Sequence, residues 1–102
     1  METLRKSRQF KKVLQGGSRE KLETMVVCRL PRQEGFTRIG ITVSRKAGGS
    51  VERNRIKRRV REALRRNASF LPENEDIVII AGRKCLEADF GSIEEDIRRL
   101  GK

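Results

Sequence analysis

Histidine, tryptophan and tyrosine are absent from this 102-residue chain, and there are only two cysteines, two prolines and four phenylalanines. Without histidine, neither a His general base nor a His-ligated metal is available. The phenylalanines stand apart at positions 10, 36, 70 and 90, so no stacking platform of the aromatic-rich single-strand binders can be built. Cys28 and Cys85 have neither metal-ligand spacing nor a disulfide framework around them, which points to a reducing, cytoplasmic compartment. No apolar run approaches the ~18 residues of a membrane span, so no membrane partner is expected. The start, Met1-Glu2-Thr3-Leu4-Arg5, reads as the lead into a charged helix rather than a signal peptide. Negative charge is scarce as well: 14 acidic residues face 25 basic ones, for a net charge of +11 and a pI near 10.8.

What is present is clustered. Hydrophobic residues are 35% and charged residues 38% of the chain, a balance close to disorder, but the apolar positions are periodic. The expectation is one folded domain spanning residues 1–102, with a single modest core.

Phe10, Val13 and Leu14 have helical spacing within Arg5 to Gln15, and Gly16-Gly17 closes that segment. Leu22 to Leu30 reads as a strand with Val26, Cys28 and Leu30 on one face and Met25, Val27 and Arg29 on the other. A short additional strand before Met25 is compatible with the pattern. Pro31 to Gly35 forms a turn, and Thr37 to Ser44 alternates, with Ile39, Ile41 and Val43 sharing a face. The two strands and their short Gly-containing connection predict an antiparallel hairpin. Gly48-Gly49-Ser50 then breaks the chain, with Ser50 the expected N-cap of a helix and Glu52 in its first turn. Asp76 to Ala81 contains Ile77-Val78-Ile79-Ile80, a strand apolar on both faces. A last helix covers Ser92 to Leu100 through Ile93, Ile97 and Leu100.

The helix after Gly49 holds the main signal. Between Arg45 and Arg66 lie ten basic residues against Glu52 and Glu62, a charge of +8. Such density repels itself unless a polyanion lies against it. Turning 100° per residue from Ile56, Val60, Ala63 and Leu64 fall within about 80°, while Lys57, Arg61, Asn54, Arg65 and Arg58 fill the sector from about 100° to 200°. One helix thus has an apolar seam and a basic stripe. A solvated face or a localisation-like basic patch is the bland alternative, but such faces mix signs at i, i+4, and this one scarcely does. Asn54, a poor interior helix former, suggests a donor–acceptor role on RNA, against the alternative of bonding its own turn. Arg53 projects toward the apolar sector and is expected to flank a cleft, with Arg45 and Lys46 adding charge at the same end. Glu73, Glu75 and Asp76, and again Glu94, Glu95 and Asp96, read as solubilising surface rather than Mg²⁺ ligands. No catalytic residue and no metal ligand is assigned.

From Ser44-Arg45-Lys46 through Gly48 to Arg53-Asn54-Arg55-Ile56-Lys57-Arg58 the chain resembles the protein subunit of bacterial ribonuclease P. Leu4 six residues before Phe10, and Asp76 to Ala81 followed by Arg83-Lys84, extend the likeness over nearly the whole sequence. The resemblance implies an α+β fold: a compact two-layer α/β sandwich of the ribosomal-protein-S5-domain-2-like kind, its small mixed sheet containing a left-handed βαβ crossover. It implies a non-catalytic partner for a catalytic RNA subunit, monomeric when isolated. That complex removes the 5′ leader from precursor tRNA with Mg²⁺ held mainly by the RNA. RNA-subunit binding carries over to Arg45, Lys46, Arg53, Asn54, Arg55, Lys57, Arg58 and Arg61, with Arg65 beyond them on the stripe. Leader binding carries over to Phe10, Leu14, Cys28 and Arg53. At Leu14 and Cys28 the family usually has aromatics, and before Leu4 it carries more basic residues. The rival reading is a small basic ribosomal protein, which composition alone does not separate from this one.

Overall fold

The β-strand that ends up in the middle of the sheet is the one with no polar face. Residues 2–33 and 35–101 are described by the computed structural model, so Met1 of the N-terminal reading and Glu34 of the expected turn lie outside them. The elements are β1 (Glu2–Thr3), α1 (Ser7–Gly16), β2 (Ser18–Lys21), β3 (Met25–Pro31), β4 (Arg38–Val43), α2 (Ser50–Arg66), β5 (Glu75–Ala81), α3 (Lys84–Glu87) and α4 (Phe90–Arg99). A four-stranded mixed sheet, lengthened at one edge by two-residue β1, runs β1-β4-β5-β3-β2.

The expected β3–β4 hairpin does not form. β5 lies between those strands, antiparallel to β3 (Val27 opposite Ile79) and parallel to β4 (Ile39 opposite Ile77). Burial decides this: Ile77, Val78 and Ile79 are fully buried and need cover on both faces, which an edge position cannot supply. The true hairpin joins β2, the short strand before Met25, to β3.

Alternation along the strands divides the core. Met25, Val27, Ile39, Ile77 and Ile79 point to one side, against Ile56, Val60, Ala63 and Leu64 of α2 and Ile93 and Ile97 of α4. Cys28 and Val78 point to the other, against Val13 of α1 and Leu4. Thus α2, α3 and α4 cover one face, and the ten-residue α1 covers part of the second.

The handedness of β4–α2–β5 follows from two carbonyls. Ile39 faces α2, and its carbonyl accepts the Leu4 N–H (3.0 Å) on the β1 side. In a strand of L-residues drawn upward with a side chain toward the viewer, that residue's C=O points right. β1 is therefore right of β4, and β5 is left. Ala81 repeats the geometry from β5, its carbonyl accepting the Ser44 N–H (3.3 Å) from the β4 side. The chain passes in front of the sheet through α2 and moves left: a left-handed crossover, where almost all are right-handed.

Candidate nucleic-acid interface

α2 begins one residue earlier than its sequence suggests. Gly49 is the N-cap, and its N–H donates to Glu52 Oε1 (3.0 Å), an acceptor three residues on that Ser50 could not use in the same way. The preceding Gly48 has φ +142°, and a Cβ there would meet Glu52 Cβ at 2.9 Å. Only glycine fits both demands. Just before it, Arg45–Ala47 form a 3₁₀ turn in which Ser44 Oγ accepts the Lys46 N–H (3.2 Å). Arg83 donates to the Ala47 carbonyl (3.0 Å), tying this turn to the end of β5. Arg45 and Lys46 are left exposed at the mouth of α2.

The two faces of α2 are real. Ile56, Val60, Ala63 and Leu64 are at most 4% exposed, whereas Asn54, Arg55, Arg58, Arg61 and Arg65 lie open to solvent, with Lys57 half-buried between. Three concavities follow this side of the helix and share lining residues. Val43, Arg53, Asn54 and Lys57 surround the first. Asn54, Lys57, Arg58, Arg61, Glu62 and Arg65 surround the second. Arg61, Leu64 and Arg65 continue into a third, about 370 Å³, whose far wall is Phe10, Leu4 and Ile41. The result is one trough from the start of α2 to α1, apolar at its Val43 and Phe10 ends and walled along its middle mostly by cations, with Glu62 among them.

The trough also follows a strand edge. β1 pairs only with Arg38 and Ile39, so beyond that point β4 has no strand neighbour among the described residues. Ile39 turns its peptide groups toward β1, so by the two-residue period Ile41 and Val43 turn theirs into the trough. Hydrogen-bond donors and acceptors thus lie beside the arginines.

Not every cation in the run belongs to it. Arg59 turns away and donates to the carbonyls of Cys85, Leu86 and Ala88, each at 2.8 Å, closing the C-terminal end of α3. Arg65 is paired with Glu62; that bond raises the arginine's pKa and, as the largest cause, lowers that of the glutamate. Arg53, Arg55, Lys57, Arg58 and Arg61 have no ion pair among the described residues. Arg53 lies at the Val43 end with its Nε 3.5 Å from the Gly49 carbonyl, away from the concavity that holds Phe10.

The remaining expected residues are dispersed. Phe10 is half-buried and lines the trough, packed across Gly40. Leu14 is 38% exposed on α1, one residue beyond the buried Val13. Cys28 is 1% exposed, enclosed with Leu4, Val13 and Val78 beneath α1, so its thiol is closed off from the surface in this arrangement. Arg61 and Arg65 complete the Phe10 concavity instead; their position on the stripe, about two and three turns after Arg53, is the only sequence signal that could have placed them there.

The acidic clusters are not solubilising surface throughout. Asp76 is buried and takes both Arg38 Nε (2.8 Å) and Nη2 (2.7 Å). Glu75 takes Arg29 Nε (2.8 Å) and Nη2 (2.9 Å), and that hydrogen bonding raises the Arg29 pKa. Asp96 is fully buried, its Oδ2 accepting the Thr24 N–H (2.7 Å) and hydroxyl (2.6 Å) while Oδ1 has no hydrogen bond. No cluster of carboxylates and thiols suited to a metal ion occurs among the described residues. Among the described residues no helix is long and apolar enough to cross a membrane.

Comparison with known proteins agrees along the full length. The family description that matches is Ribonuclease P, over residues 1–102. The chain is 37% identical over 99 residues to the ribonuclease P protein component of Caldanaerobacter subterraneus subsp. tengcongensis, covering 97% of this chain and 85% of that one. It is 35% identical over 97 residues to its counterpart in Thermoanaerobacter pseudethanolicus, covering 95% and 84%. Among solved structures, the RNase P protein from Thermotoga maritima superposes with a TM-score of 0.83 at 34% identity, covering 97% of both chains. The Staphylococcus aureus RNase P protein gives 0.83 at 27% identity, covering 100% of this chain and 96% of that one.

Proposed function

The chain belongs to the ribonuclease P protein family, and from that premise we propose that it is the non-catalytic subunit of a ribonucleoprotein that trims precursor tRNA at its 5′ end. The observation that carries this reading is the trough along α2: among the described residues Asn54, Lys57, Arg58 and Arg61 pair with no carboxylate, and they stand beside a strand edge with no further strand on it. An RNA backbone satisfies both features, since its phosphates neutralise the cations and its 2′-hydroxyls and base edges meet the amide and peptide groups. In this reading the stripe, with Arg45, Lys46, Arg53 and Arg55 at its entrance, holds the catalytic RNA subunit. The single-stranded leader of precursor tRNA passes the Phe10 end, where Arg61 and Arg65 stand over its phosphates and Leu4, Ile41 and the Phe10 ring meet its bases.

Division of labour follows from the chemistry. The protein has no histidine and no converging carboxylates among its described residues, so it lends charge and position, and Mg²⁺ belongs to the RNA. Neutralising phosphate repulsion between two RNAs raises the affinity of each for the other and so favours Mg²⁺ binding where they meet. The two free thiols, both buried, suit a reducing cytoplasm.

The test is reconstitution. Purified protein, the cognate RNA subunit and a precursor tRNA are combined at low Mg²⁺, and product ends are mapped. Cleavage at the mature 5′ end is expected with both subunits and absent with protein alone. Specific cleavage by the protein alone, or no gain on adding it to the RNA, overturns the reading.

A further inference from the structure

Two groups of cations without carboxylate partners among the described residues lie on opposite faces of the sheet. One is the α2 stripe. The other surrounds α1. Turning 100° per residue from buried Val13, Lys11, Arg8 and Lys12 lie at about 160° to 260°, on the side of the helix away from the sheet. All three are exposed. Arg19 and Lys21 join them through strand register. Directly opposed residues of an antiparallel pair share a face. Arg19 is opposite Cys28 and Lys21 opposite Val26, which point toward α1, while the intervening Glu20 is opposite Val27 and points toward α2. The pleat therefore sorts charge by sign, sending both β2 cations to the α1 side.

None of these five has an ion pair among the described residues. Residues 3–19 contain no aspartate or glutamate at all. Arg8, Lys11 and Lys12 are helical neighbours at i, i+3 and i, i+4, where like charges repel. Elsewhere the chain does answer its arginines: Arg29, Arg38, Arg65 and Arg66 each meet a carboxylate. We propose that the α1 face is a second phosphate-binding surface, which takes the backbone of an RNA segment other than the one on α2. The protein then bridges two RNA segments across its own thickness, about 21 Å at its narrowest. An anionic membrane fits less well, because Leu14 is the only large exposed apolar side chain on α1 to accompany the charge. RNA as the ligand class rests on the function proposed for α2.

The experiment uses the full chain and short RNA duplexes of arbitrary sequence, one immobilised and one fluorescent. Wild type is expected to bind with a steep salt dependence and to hold both duplexes together. The triple change Arg8→Gln/Lys11→Gln/Lys12→Gln should lower the log–log salt slope by roughly two units and abolish bridging while leaving one duplex bound. Lys57→Gln/Arg58→Gln/Arg61→Gln should do the same from the other side. Lys11→Arg/Lys12→Arg should keep bridging, separating charge from any loss of helix. Independently of any variant, saturating RNA should protect Lys11 and Lys12 of the wild type from acetylation. An α1 triple variant that still bridges with an unchanged slope overturns the proposal, as do unprotected lysines. Loss of binding to phosphatidylserine vesicles with RNA binding intact also overturns it, in favour of a membrane. If the α2 variant alone loses nothing, the function proposed for the stripe fails while the α1 result stands by itself.

Discussion

The ring of Phe10 lies across Gly40, where a Cβ would collide with its Cζ and Cε1 and crowd Leu4 as well. A glycine in mid-strand thus makes the seat on which α1 presents its aromatic to the trough. Gly40→Ala should tip the ring outward or shift α1. Overpacking of this kind costs ~1–3 kcal/mol, so a thermal midpoint at least about 4 °C lower is expected. An unchanged melt would mean that the ring has free room to move.

Phe10 itself should matter in proportion to the leader. Removing a base-stacking contact costs ~1–3 kcal/mol, about five- to 150-fold in affinity. Phe10→Leu, which keeps apolar bulk against Val13 and Leu4, should lose affinity for precursor tRNA with a long leader and none for mature tRNA. Holoenzyme binding across a leader-length series measures this. Equal losses for both substrates would assign Phe10 to packing alone.

Neighbouring arginines of α2 should fail in opposite ways. Arg58 is exposed on the stripe, so Arg58→Ala should lower the salt slope for the RNA subunit by about one unit and leave the melt nearly unchanged. Arg59 closes α3 through three carbonyls, and a hydrogen bond to a charged group contributes a net ~1.5–3 kcal/mol. Arg59→Ala should therefore lower the melting point by several degrees and leave the slope unaltered. The reverse pattern would exchange their roles.

Alkaline pH should weaken the fold through Cys85. Burial pushes this thiol's pKa up, and its S–H donates to the Thr24 carbonyl (3.2 Å). In the unfolded chain the thiol ionises near pH 8.5, while the folded thiol stays protonated to higher pH. Above the unfolded value the unfolded state binds fewer protons, so stability present at neutral pH is lost as pH rises toward the folded value. Melts from neutral to alkaline pH should fall more steeply for wild type than for Cys85→Ala, whatever their absolute midpoints. Parallel slopes would remove Cys85 as the cause.

Much of α2 was legible because its pattern is local. Ile56, Val60, Ala63 and Leu64 must share a face at 3.6 residues per turn whatever surrounds them, and Lys57, Arg58 and Arg61 must then lie elsewhere. Arg53-Asn54-Arg55 with Gly48 at its offset carried the family likeness for the same reason, since the motif is contiguous. Arg59 was illegible: it sits at the border of the apolar seam, and its partners come from α3, some 26 residues away along the chain.

Strand order belongs to the same division. Alternation in β3 and β4 marked their faces correctly, but a hairpin between them would have left Ile77, Val78 and Ile79 on an edge. Competition for burial moved β5 between them, and that competition involves every strand at once. Likewise, nothing near Asp96 or Asp76 announces Thr24 or Arg38 as partners that let a carboxylate go inside. The sequence by itself determined which residues are apolar, which are charged, and how each helix and strand divides them between its faces. Tertiary structure alone decided which of those faces meet, and so which cations are consumed by carboxylates and carbonyls and which, among the described residues, keep no such partner. The reason is range: periodicity is set by bonds a few residues apart, whereas pairing depends on segments that only the completed sheet brings together.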